Sequence, residues 1–120
     1  MTARRDTWSN VPLSETTFFI LLSLTAGPKH GYAIMKEVMI LTDRRVVLST
    51  GTLYGALKRL LRDGWIERAE DQTGPEGSYH ARKAYTLTNL GRRILEAEVR
   101  RLRALLEVAR VLRPAEEPAR

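Results

Sequence analysis

Residues 49–61 read STGTLYGALKRLL, and residues 62–66 continue as RDGWI. Ser49 and Thr50 offer hydroxyls at a helix start, where Ser and Thr satisfy free backbone N–H groups. Leu53, Leu57, Leu60 and Leu61 then share one helical face about 100° wide. Thr52, Tyr54, Gly55, Lys58, Arg59 and Arg62 fill the rest of the wheel. Gly64 stands where a helix-ending glycine is expected. From Trp65 the period becomes that of a strand, in which successive side chains alternate sides. Trp65, Glu67 and Ala69 oppose Ile66, Arg68 and Glu70. Hydroxyl start, apolar stripe, basic outer face, glycine stop and strand are, in that order, what a recognition helix feeding a β-wing requires.

The flanking sequence completes that pattern. Residues 71–78, DQTGPEGS, are rich in turn formers. Beyond them Tyr79, Ala81, Lys83, Tyr85 and Leu87 alternate with His80, Arg82, Ala84 and Thr86. Two alternating runs joined by a polar loop predict a hairpin. On the N-terminal side, residues 13–26 predict a first helix, with Ser14 as N-cap and Thr17 three residues on. Phe18, Phe19, Ile20, Leu21, Leu22 and Leu24 make it apolar nearly all round. Such a helix is buried on more than one side, in a core or at a subunit interface. Gly27-Pro28 ends it. Residues 31–42 predict a second helix with Tyr32, Ile34, Met35, Val38, Met39 and Leu41 on its apolar side. Residues 43–45 form the turn and residues 46–48 an extended entry to the third helix.

Thr88 caps a fourth helix that extends to about residue 112, about 36 Å at 1.5 Å per residue. Leu95, Leu102 and Ala109 take heptad position d, and Val99 and Leu106 take position a. Leu105 and Leu112 widen the stripe. A domain closed by three helices and a hairpin is too small to cover it, so the same helix of a second subunit is the expected partner. The alternative is that the helix folds back on its own domain. The expected class is therefore mainly α with a small β-hairpin: a winged helix-turn-helix plus a long C-terminal dimerisation helix. Residues 1–12 are expected as a flexible arm and 13–88 as the DNA-binding unit. Residues 89–113 form the dimerisation helix and 114–120 a disordered tail.

Composition narrows the function. The 120 residues carry a formal net charge of +6. Ten basic and five acidic residues fall within 44–93, so the excess sits on the proposed helix and wing. A localised basic surface is the electrostatic footprint of a nucleic-acid binder. There are no cysteines, which excludes disulfides and thiolate metal sites and suits a reducing cytoplasm. No cofactor or metal is expected. The longest apolar run, residues 18–22, is too short to span a bilayer, and no secretory signal is evident. Enzymatic chemistry finds no support: the two histidines are separated, and no phosphate-cradling glycine loop or HExxH motif occurs.

Three blocks carry a resemblance: HGYAI at residues 30–34, GTLYGALKRLLRDGWIE at residues 51–67, and RKAYTLTNLGRRIL at residues 82–95. Their order and spacing resemble the PadR family of transcriptional regulators. The likeness covers about residues 13–112. It implies a winged-helix DNA-binding domain, a two-fold dimer and repression of a nearby operon. The single C-terminal helix resembles the family's small subfamily. One departure is Gly55, where the family pattern usually has proline after the helix tyrosine. Some small members bind flat aromatic drugs between subunits through an aromatic residue of the last helix. No aromatic residue occurs in this chain from Asn89 onward.

Candidate site residues follow from residue type. Ser49, Thr50, Thr52, Tyr54, Lys58 and Arg59 on the third helix, with Arg82 and Lys83 on the wing, are the candidates for contacting a double-stranded DNA operator. Cations pair with phosphates, Arg also forks to guanine, and hydroxyls at a helix start donate to phosphate. Tyr54 borders the apolar stripe and reads equally as a core ring with an exposed hydroxyl. Phe18, Leu22, Leu95, Val99, Leu102, Leu106 and Ala109 are the candidates for homodimer contact. Trp8, Phe18, Phe19 and Met35 read either as core and interface packing or as the lining of a pocket for a small hydrophobic effector. Two other functions fit a winged helix. A protein-docking module predicts a neutral or acidic third-helix face, and an architectural DNA binder predicts uniform coating of duplex.

Overall fold

In a computed structural model, residues 9–69 and 83–112 are described. Helix α1 (Glu15–Ser23) starts where expected, because Ser14 Oγ accepts the Thr17 N–H at 3.1 Å. It ends three residues before Ala26. Ser23 Oγ donates to the Ile20 carbonyl and Thr25 Oγ1 to the Leu22 carbonyl, so hydroxyls occupy the last turn. Such local bonding competes with helix continuation. Gly27 then turns the chain with φ +142°. Two residues, Lys29–His30, form strand β1, which the sequence does not suggest because two residues show no periodicity.

Helix α2 (Gly31–Leu41) follows at once and buries Ile34 and Val38. Its end is tied by Thr42, a buried hydroxyl that donates to the Val38 carbonyl at 2.8 Å and accepts the Val46 N–H at 3.0 Å. Asp43 and Arg44 make the turn in the left-handed region, with φ 53° and 64°. Helix α3 (Thr50–Arg62) buries Leu53, Ala56, Leu57 and Leu60. Gly64, with φ +78°, stops it, and Trp65 N–H closes back on the Leu60 carbonyl. That backbone reversal is the usual role of a glycine after a helix.

Strand β2 (Ile66–Ala69) pairs antiparallel with β3 (Ala84–Leu87), and β3 also pairs with β1. The sheet is thus three-stranded in the order β1-β3-β2, not a bare hairpin. Helix α4 (Asn89–Leu112) starts on Thr88, whose Oγ1 accepts the Gly91 N–H at 3.0 Å. The core lies between α1, α2, α3, the sheet and the first half of α4, with Ile20, Leu21, Ile34, Val38, Leu53 and Ile94 fully enclosed. The expected class holds: mainly helical with a small antiparallel sheet. Residues 1–8 of the expected arm, the wing loop at 71–78 and the tail at 114–120 lie outside the described residues.

Candidate nucleic-acid interface

Helix α3 presents two chemically opposite faces. Leu53, Ala56, Leu57 and Leu60 are buried and Leu61 is half-buried, while Thr50, Gly51, Thr52, Tyr54, Gly55, Lys58, Arg59 and Arg62 are exposed. No acidic residue occurs between Thr50 and Arg62, so the outward face is purely hydroxyl, small and cationic. Ser49 caps the helix: its Oγ accepts the Thr52 N–H at 3.1 Å and donates to Thr52 Oγ1 at 2.9 Å. Those two hydroxyls are therefore oriented beside the free N–H groups of the first turn, where the helix dipole favours an anion.

The cations of this face differ in what already holds them. Lys58 has no hydrogen bond or ion pair among the described residues. Arg59 reaches back to α1, where Nη2 donates to Thr17 Oγ1 at 3.3 Å. Arg59 is nonetheless exposed. Arg62 lies 3.4 Å from the Asp63 carboxylate in an exposed pair. Lys83, at the foot of β3, is exposed. Arg82 and the loop between the wing strands, and Trp8 of the N-terminal arm, lie outside the described residues.

Tyr54 resolves part of its ambiguity. It is 43% exposed, so its ring is neither in the core nor fully free. Its hydroxyl lies against Gly31 so closely that a Cβ there would overlap it. The HGY motif thus supplies a glycine because the phenol of α3 crosses the first residue of α2. Behind it, Tyr85 is buried. Burial, and then the neighbouring Tyr54, push its phenol pKa up, with Arg68 opposing. The Tyr85 phenol accordingly stays neutral at ordinary pH and adds no negative charge behind that ring.

Arg68 is a cation that the sequence-derived candidates omit. The alternation puts it on the same side as Ile66, and the register places it opposite Tyr85, yet it is exposed. The strand leaves the core between Ile66 and Arg68, and alternation alone does not show where that happens. Arg45, also exposed, lies 3.5 Å from Glu15 and belongs to the turn rather than the helix.

The proposed dimer residues divide. Leu95 is 5% exposed and packs in the chain's own core. Its position is within reach of the sheet and α1, which the heptad pattern could not show. Phe18 and Leu22 are half-buried against that same core. Val99 is half-buried, whereas Leu102, Leu106 and Ala109 are exposed. Phe18 and Phe19 meet edge to face at 5.2 Å and, with Met35, pack on the core cluster. Among the described residues no group of three acidic, histidine or cysteine side chains could hold a metal ion. None of their helices is long and apolar enough to cross a membrane.

Comparison with known proteins places this geometry. Residues 20–97 match the model of the transcriptional regulator PadR-like family. A PadR family transcription regulator from Clostridium difficile is 31% identical, with a TM-score of 0.65, over 81% of this chain and 96% of that one. A transcriptional regulator from Clostridium thermocellum is 26% identical, with a TM-score of 0.66, over 87% of this chain and all of that one. A 37.1 kDa protein of transposon TN4556 from Streptomyces fradiae is 33% identical over 85 residues. The match takes 71% of this chain but spans only 22% of that protein.

Proposed function

The chain belongs to the PadR-like family of transcriptional regulators, and we propose that it acts as a dimeric repressor on a near-palindromic operator. DNA-binding regulation, not catalysis, is the family's activity. One observation carries the finer reading: an exposed helix face without acidic residues, ending in Lys58, Arg59 and Arg62 and flanked by the exposed cations Arg68 and Lys83. In this reading Ser49, Thr50 and Thr52 hold phosphate at the start of α3. Tyr54 donates to a neighbouring phosphate, and Lys58 with Arg59 enters the major groove. Lys83, with Arg82, follows the backbone beside it. A docking module for proteins has no need of a uniformly cationic face.

Pairing comes from α4. Leu102, Leu105, Leu106 and Leu112 are all exposed on one chain. Val99, Leu102, Leu106 and Ala109 recur at heptad spacing, which a second α4 would cover. Two recognition helices related by a two-fold axis read inverted half-sites.

Selection of bound duplex from a random pool with the purified protein tests this reading. The expected product is one near-palindrome. Uniform recovery of unrelated sequences would make the protein an architectural binder. On the selected duplex, Lys58→Ala with Arg59→Ala should lower affinity at least tenfold. It should also flatten the salt dependence by about one unit of slope for each phosphate that is no longer neutralised. Unchanged binding by a folded double variant would remove this face from the interface.

A further inference from the structure

The end of the recognition helix and the start of the pairing helix share one side-chain hydroxyl. Thr88 Oγ1 donates to the Gly64 carbonyl at 2.6 Å and accepts the Gly91 N–H at 3.0 Å. The Thr88 backbone N–H donates to the Trp65 carbonyl at 3.1 Å. Gly64 is the residue that terminates α3, and Gly91 lies in the first turn of α4. A Cβ on Gly91 would overlap the Trp65 carbonyl oxygen, so the two backbones touch directly there. Two hydrogen bonds cross the joint, both donated by Thr88 to carbonyls at the end of α3, and backbone contact leaves no room for slack.

A helix cap needs only an acceptor for the N–H groups of the first turn. The second bond, out to the end of another helix, adds nothing to capping. It fixes the direction of α4 relative to α3. That direction matters because α4 is a long lever. Its 24 residues span about 36 Å, so a swing of about 10° at the joint moves its far end by about 6 Å. That displacement is nearly two base-pair steps along B-form duplex, whose turn of about 10 base pairs occupies about 34 Å.

We infer that Thr88, seated against Gly64 and Gly91, is the positioning residue that sets the spacing between operator half-sites. The inference rests on the dimeric operator-binding reading above. Thr88 touches no DNA in this scheme. It acts by holding the angle between the helix that reads a half-site and the helix that joins the subunits.

The test uses the full chain and inverted repeats of the half-site recovered with the unaltered protein, separated by spacers of increasing length. Thr88→Asp keeps an acceptor for the Gly91 N–H but loses the donor, and its carboxylate faces the Gly64 carbonyl. It should remain helical by circular dichroism while its preferred spacer shifts or broadens by at least one base pair. Thr88→Val removes both bonds without adding charge and should broaden the profile likewise. Thr88→Ser restores both bonds and should return the original profile. The added negative charge of the Asp variant lowers affinity equally at every spacer, so it cannot imitate a shift. If the folded Asp and Val variants keep the original spacer preference at its original width, the inference is overturned. If either does not fold, the other decides the matter on the same duplexes; if neither folds, Thr88 is a stability determinant and the inference is likewise overturned. Should the unaltered protein itself show no spacer preference, the dimeric operator reading fails first, and it fails independently of Thr88.

Discussion

Helix α4 has one amphipathic pattern along its length but two environments. In its first half Gly91, Ile94, Leu95, Ala97 and Glu98 are buried by the chain's own sheet and by α1. In its second half Leu102, Leu105, Leu106, Val108, Val111 and Leu112 are all exposed. The residue types scarcely differ; the supply of neighbours does. An apolar stripe therefore specifies that a helix must be covered and says nothing about which chain covers it. The division falls at Val99 to Arg101, where burial gives way to exposure.

The comparison breaks most sharply through Ile94, which is fully enclosed. Ile94→Ala should lower the unfolding free energy by about 2–5 kcal/mol, the range for a large-to-small change in a packed core. Urea titration at several protein concentrations would show the loss at every one of them. A loss that appeared only at low concentration would move Ile94 out of the intrachain core and into the seam.

The second half should behave in the opposite way. Leu102→Glu with Leu106→Glu introduces charge where the proposed dimer buries leucine. The variant should keep its helical content and become monomeric by light scattering. Affinity for a paired operator should then fall by about a hundredfold or more, because linked half-site binding is lost. A variant that stays dimeric would place the subunit contact elsewhere.

At the division itself stands an ion pair. Arg101 Nε and Nη2 donate to the two carboxylate oxygens of Glu98 at 2.8 and 2.9 Å. The hydrogen bonds from Arg101 hold the Glu98 pKa below the ordinary carboxylate range against the opposing effect of burial, and a bond from the Leu13 backbone helps. A depressed pKa means that the folded state gains from the ionised form. That gain is complete above the unfolded carboxylate pKa and disappears as pH falls through the lower folded value. Glu98→Ala should cost about 1.5–3 kcal/mol at neutral pH, the range for hydrogen bonds to charged groups. The gap between the two proteins should close on acidification. A gap that widened in acid would reverse the assignment.

These contrasts show what the chain discloses without its structure. The stripe and glycine stop of α3 are legible because helix burial follows a fixed angular period, and Ser49 caps the helix just where its hydroxyl suggests. Strand β1 is not legible: two residues carry no period, and Lys29 and His30 pair with Tyr85 and Ala84 from far along the chain. That Leu95 packs in its own chain's core is not legible either, because the heptad pattern continues unbroken through the division. Arg59 shows its charge but not its bond to Thr17, which depends on how α1 crosses α3. Sequence periodicity reports that a side chain is needed on a face. Which atoms stand opposite is a property of the packing.

The smallest expected effect concerns the end of the stripe. Leu112 is 76% exposed, the most exposed of the large apolar residues on α4. Within one chain it touches too little for truncation to matter, so Leu112→Ala should change the stability of the isolated subunit by less than about 0.5 kcal/mol. If the intersubunit seam runs to the end of the helix, the same variant should weaken dimerisation at least tenfold, since removing buried methylenes costs about 0.8 kcal/mol each. If the seam ends near Ala109, the dimer dissociation constant should not move. Sedimentation equilibrium distinguishes the two and thereby measures how much of the exposed half a second α4 covers. A seam ending early would shorten the lever between Thr88 and the two-fold axis. A given change in the joint angle would then shift the half-sites less, so the length of the covered stripe also sets how strongly that joint governs operator spacing.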